Sequence, residues 1–108
     1  MLFSSRLSVA ALAGWCRALR HGLDVGLSPG KVFRQQAKSG PPDARALAAV
    51  VAGRLDAGAS LADALAPHRR RFPPLFLELV AVGEESGRLA EAFAELEHHY
   101  DAVRSARK

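Results

Sequence analysis

Cysteine and aromatic residues are scarce in this chain, and each scarcity excludes something. Cys16 is the one cysteine in 108 residues, so no internal disulfide can staple the fold and nothing points to an oxidising compartment. Its neighbours Leu12, Trp15 and Leu19 suggest a buried structural thiol; a reactive one needs an exposed basic setting, at which Arg17 and Arg20 only hint. Aromatic residues make up 6% of the sequence, while alanine and leucine dominate, a bias that suits closely packed helices. The β-branched residues are scattered and no stretch sustains apolar/polar alternation, so no strand is expected. No apolar run approaches the roughly 18–20 residues that span a bilayer. The uncharged run Ser8–Cys16 superficially resembles a signal peptide. It leads directly into an amphipathic pattern without a clear small-residue cleavage site, and is read as helix. Charge of one sign is limited too: 15 Lys and Arg face 11 Asp and Glu, a formal net charge of +4. Solvated surface charge is the plainer reading of that excess, with contact to nucleic acid or an anionic membrane as the alternative.

What is present is apolar and periodic. Residues of hydrophobic type form 49% of the chain, too many for a disordered tail, and the length suits one domain with a real core but not two. The first helix is expected over about Ser5–Val25, with Leu12, Trp15, Leu19 and Leu23 on one stripe, Gly22 as an internal weak point and Gly26 as a stop. Ser28 followed by Pro29 starts the second, whose face is Val32, Phe33, Gln36 and Ala37, and Gly40-Pro41-Pro42 ends it. Asp43 is read as the cap of the third, which carries Leu47, Val50, Val51 and Leu55 and stops at Gly58. Ser60 and Asp63 form a capping-box-like pair on a short fourth helix with Leu61 and Leu65 inward, broken by Pro67. The fold class is therefore all-α: a six-helix antiparallel bundle in a single domain, with no internal repeat.

The best-marked stretch is Phe72–Tyr100. Pro73 and Pro74 suit a first helical turn, and Leu75, Phe76, Leu79 and Val80 make a fifth stripe. Leu89, Phe93, Leu96, Tyr100 and Val103 make a sixth, close to a heptad seam. Between them Gly83-Glu84-Glu85-Ser86-Gly87 reads as a sharp corner, with glycine freedom at Gly83 and Gly87 and the carboxylates capping the sixth helix.

Candidate sites are few. Glu84 and Glu85 are candidates for contact with a partner protein or second protomer; they are also the weak candidates for a divalent ion, because paired carboxylates suit hard cations but fall short of a full shell. On that reading, reversing both charges leaves the fold intact and weakens partner binding. Arg69, Arg70 and Arg71 are candidates for an anionic partner. Glu95 and His98 have the spacing used in di-iron bundles, but such sites need two of these pairs, so His98, His99 and Asp101 are read as surface residues. No Ser/His/Asp or Cys/His arrangement and no phosphate-binding loop is present; no catalytic residue or cofactor is expected. Helix two, with Lys31, Arg34, Gln35 and Lys38, comes closest to a DNA-reading face without assembling one. The alternative function is thus a stand-alone basic helical nucleic-acid-binding module.

Three pieces now fall in one order: Trp15-Cys16-Arg17-Ala18-Leu19 with Val25-Gly26-Leu27; Gly58-Ala59-Ser60-Leu61-Ala62-Asp63-Ala64-Leu65; and Phe72-Pro73 followed by Gly83-Glu84-Glu85-Ser86-Gly87-Arg88-Leu89. Over about residues 12–102 they resemble the cytoplasmic domain of the type II secretion system F family, the inner-membrane platform proteins of type II secretion and type IV pilus machines. Gly58, Ser60, Leu61, Leu65, Phe72, Pro73, Gly83, Ser86, Gly87 and Leu89 carry the shared pattern, whereas Asp24 and Ser28 depart from it. The resemblance implies a six-helix bundle with no catalysis, at the cytoplasmic face of the bacterial inner membrane. It implies a scaffold that couples an assembly ATPase to the growing pseudopilus or pilus, with other inner-membrane components and a second copy as partners in a homodimer or higher oligomer. Family members usually carry two such domains and about three membrane spans; this chain has one copy and no span. If the native product continues past Lys108, a span is expected there, and the basic end Arg104, Arg107, Lys108 fits a cytoplasmic flank as well as a solvated helix end.

Overall fold

The computed structural model describes residues 5–107. Helix α1 (Val9–Asp24) starts four residues later than its periodicity suggests because Ser8 takes the cap: its backbone is extended and its hydroxyl accepts from the Ala11 N–H at 3.0 Å. Ser5–Leu7 instead run alongside a distant loop, where the Leu7 N–H donates to the Arg71 carbonyl at 2.9 Å and Leu7 itself is buried. Helix α2 (Pro29–Ser39) begins as the Ser28-Pro29 pair dictates.

Asp43 does not cap the third helix. It sits inside a 3-10 turn, Pro42–Ala44, and α3 (Arg45–Asp56) follows without a side-chain cap. The Asp43 carboxylate accepts from the Ser8 hydroxyl instead, across 35 positions of sequence. The α3 stripe is also narrower in bulk than expected: Leu47, Ala48, Val51 and Ala52 are buried while Val50 is 48% exposed. The small alanines let α2 and α3 lie close. Helix α4 (Leu61–Leu65) keeps Leu61 and Leu65 buried. Pro67 does not end the coiling there; the chain continues as a 3-10 turn over Ala66–Arg71, kinked at His68. Helices α5 (Pro74–Ser86) and α6 (Leu89–Ala106) complete six helices, with no strand among the described residues.

The scarce aromatics form a spine through the middle. Phe33 meets Trp15 edge-on at 5.1 Å, Trp15 meets Phe72 at 5.8 Å, Phe72 stacks on Phe76 at 4.8 Å, and Phe76 meets Phe93 at 6.2 Å. Aromatic contacts of this kind each add about 0.5–1.5 kcal/mol beyond buried area. Four helices and the loop before α5 are thereby tied to one another. Leu75, expected inward, stands off this spine and is 39% exposed. Helix α1 packs chiefly on α6, and α5 packs on α6 as well. The register is antiparallel in the first pair: Arg17 reaches Asp101 and Arg20 reaches Glu97. Gly22 is a close-approach point as well as a weak one, because a Cβ there would run into a Val32 methyl on α2.

Candidate functional site

The corner is smaller than its sequence suggests. Gly83 through Ser86 remain helical, and only Gly87 turns, in the left-handed region at φ 75° and ψ 22°. The Arg88 N–H donates to the Gly83 carbonyl at 2.7 Å, closing a Schellman-type end. Gly83 matters for a different reason, since a Cβ there would lie 2.7 Å from the Ala92 methyl and 3.2 Å from the Arg88 carbonyl oxygen. It is the point where α6 crosses back against α5.

Because α5 runs through Ser86, Glu84 and Glu85 occupy its last turn and do not cap α6, whose first-turn acid is Glu91. Glu84 serves another helix. Its carboxylate accepts from the Leu61 N–H at 2.6 Å and from the Ala62 N–H at 3.0 Å. The Ser60 hydroxyl accepts from the Asp63 N–H at 3.0 Å. The first three amides of α4, which have no partner within their own helix, are thus all satisfied, and a carboxylate sits at the positive end of the helix. Gly58, at φ 101°, follows α3 and turns the chain so that the Leu61 and Ala62 N–H groups face Glu84. The Gly-x-Ser-Leu and Gly-Glu-x-Ser-Gly segments are therefore the two halves of one joint. A cleft of about 300 Å³ opens beside it, lined by Ser28, Gly30, Leu55 and Glu84.

Sequence reasoning missed this joint. Its one signal was the incomplete capping box: Asp63 stands where Glu or Gln would reach back, so an acceptor had to come from elsewhere. Glu85 points away, exposed, and makes no hydrogen bond or ion pair among the described residues. Exposed Val82 lies one turn before it, at the rim of a second cleft shared with Arg88, Glu91 and Glu95.

The three arginines separate. Arg69 and Arg70 are exposed or nearly so, whereas the Arg71 guanidinium donates to the Ser5 carbonyl and its own carbonyl holds Leu7. Arg71 is a clasp for the N-terminal segment. His68 is pushed below its usual pKa, first by partial burial and then by the Arg54 and Arg71 charges. Lys108 lies outside the described residues.

A second missed feature joins α1 to α6. Glu97 accepts from Arg20 and from Arg17 at 3.3 Å, and Asp101 lies 3.7 Å from Arg17. The Arg20 hydrogen bond leads the effects that hold the Glu97 carboxyl below its ordinary pKa. Cys16, behind this pair, is fully buried, and burial, with Glu97 and Asp101 secondarily, pushes its thiol far above the usual range. It is a packing residue. Glu95 and His98 are exposed, and no group of three or more His, Cys, Asp or Glu comes together in metal-holding geometry among the described residues.

No helix among the described residues is long and apolar enough to cross a membrane. A comparison with curated proteins gave no match. Residues 15–108 match the family model described as type II secretion system (T2SS), protein F. The matched region contains both halves of the Glu84 joint, the aromatic spine and helix α6. With most of its length matched, the chain belongs to the type II secretion system protein F family, the structural platform components of inner-membrane type II secretion and type IV pilus machinery.

Proposed function

We propose that the chain is a non-enzymatic scaffold module that couples a cytoplasmic assembly ATPase to pseudopilus or pilus assembly by direct protein–protein contact. The observation that carries this reading is the family match over residues 15–108. The architecture supports it physically. A partner's push is transmitted only by a body whose elements do not slip, and here α4 is locked to α5 through Glu84 while α1 is locked to α6 through Glu97. The aromatic spine ties those pairs together.

The Glu84 bonds also redistribute the candidate contacts. With its carboxylate committed to α4, the partner-facing charge at this end is Glu85, beside exposed Val82. At the other end Arg69 and Arg70 are free of internal ion pairs among the described residues. Capture of the assembly ATPase by the wild-type chain, weakened in Glu85→Arg or in Arg69→Glu with Arg70→Glu, tests the reading. Full capture by both variants would remove these residues from the interface. No capture by the wild-type chain would remove the ATPase as partner.

A further inference from the structure

At the end of the bundle opposite Glu85, the N-terminal segment, the start of α5 and the end of α6 enclose a cleft of about 400 Å³. Its walls are apolar, with Val9, Leu12, Leu75 and Val103, and Arg6 and Arg107 stand at it. Tyr100 lines it too, 4% exposed, and its hydroxyl has no hydrogen-bond partner among the described residues. A buried hydroxyl without a partner is costly unless something else supplies one. Burial pushes its pKa up to about 12, so it stays a donor at neutral pH. Pro73 and Leu75 bring the start of α5 to the same cleft as apolar wall; Pro73 and Pro74 carry no N–H there, and the Phe76 N–H is bonded to the Pro73 carbonyl. Two features that favour an anion therefore stand around an apolar pocket: two guanidinium groups and a lone O–H. Neither Arg6 nor Arg107 pairs with a carboxylate among the described residues, and Arg69, Arg70 and Arg71 lie on the adjoining loop.

We propose that this cleft takes the headgroup end of an anionic phospholipid and seats the basic end of the bundle on a negatively charged bilayer. A free phosphate ion would use the charges and leave the apolar walls without a role; a phospholipid uses both, its phosphate at the arginines and its glycerol and upper acyl carbons against Val9, Leu75 and Val103. The proposal goes beyond the scaffold reading and stands without any protein partner.

The test is flotation of the full chain with phosphatidylglycerol vesicles against phosphatidylcholine vesicles at moderate salt. Binding to the anionic vesicles is expected to be stronger by about tenfold or more, and to fall about tenfold in Arg6→Glu with Arg107→Glu. The Lys31→Glu with Lys38→Glu variant changes net charge equally on α2 and is expected to lose less than about threefold. Tyr100 is the sole tyrosine, so its ring resonances report the cleft directly. They are expected to shift with submicellar short-chain phosphatidylglycerol and not with inorganic phosphate. Equal binding to both vesicle types, or equal loss in the two double variants, would overturn the proposal. So would Tyr100 signals unmoved by lipid, which would mean that lipid does not enter the cleft. A shift with phosphate alone would make it a simple anion site. Tighter binding to duplex DNA, lost in the same Arg6 and Arg107 variant, would make it a nucleic-acid surface instead.

Discussion

Glu84 shows how much one side chain can hold. It satisfies two amides of a helix 22 and 23 positions earlier, so Glu84→Ala leaves the start of α4 open and is expected to cost about 1–2 kcal/mol in urea denaturation. Glu85→Arg alone touches nothing internal and should change stability by less than about 0.5 kcal/mol. The pair Glu84→Arg with Glu85→Arg, which on sequence grounds should leave the fold intact, is on structural grounds destabilising, and the loss should equal that of the Glu84 change. Gly83→Ala makes a separate test. Its methyl would stand 2.7 Å from that of Ala92 and 3.2 Å from a backbone oxygen, and forcing α5 and α6 apart should cost about 1–3 kcal/mol. The sequence marks Gly83 and Gly87 alike, and only tertiary contact separates their roles: one is a close approach, the other a left-handed turn.

The helices themselves were largely legible. Ser8, Asp43 and Pro67 aside, caps and stops lie where local chemistry puts them: Ser28, Ser60, Gly26, Gly58 and Gly87 all act through neighbours within a few residues. What the sequence hid depends on partners far along the chain. Asp43 looks like a cap but is drawn to Ser8. Val50 and Leu75 share the right period yet face solvent, because a stripe tells which residues lie together and not where the neighbouring helix ends. The pairing of Arg17 and Arg20 with Glu97 was likewise invisible, although it fixes how α1 sits on α6. It has a pH signature. The folded-state pKa of Glu97 is held below its ordinary value of 4.5. Its stabilising effect is therefore fully present above about pH 4.5 and is lost as pH falls through the lower, folded value. Thermal midpoints measured from pH 6 downward should drop less steeply below about pH 4.5 in Glu97→Gln than in the wild type. Parallel curves would show that the bridge contributes nothing.

At the scale of the whole molecule, the two ends of the bundle offer different surfaces. Around the turn between α5 and α6 stand Glu85, Arg88 and Glu91 beside exposed Val82, and at the opposite end Arg6 and Arg107 stand at an apolar cleft. The proposed coupling of an assembly ATPase to machinery in a membrane has use for two ends of different character. The scaffold reading assigns Glu85 and Val82 to protein contact, and the cleft beside Tyr100 assigns the basic end to lipid. Both rest on the same rigid body, so variants at either end should leave the other end's binding unchanged. The most direct measurement is the binding of the purified chain to the assembly ATPase proposed as its partner, by sedimentation velocity, with circular dichroism confirming that each sample is folded. A coupling scaffold should form a complex as the wild-type chain and a weaker one as Glu85→Arg. A folded wild-type chain that sediments alone at micromolar concentrations of both proteins would contradict that role.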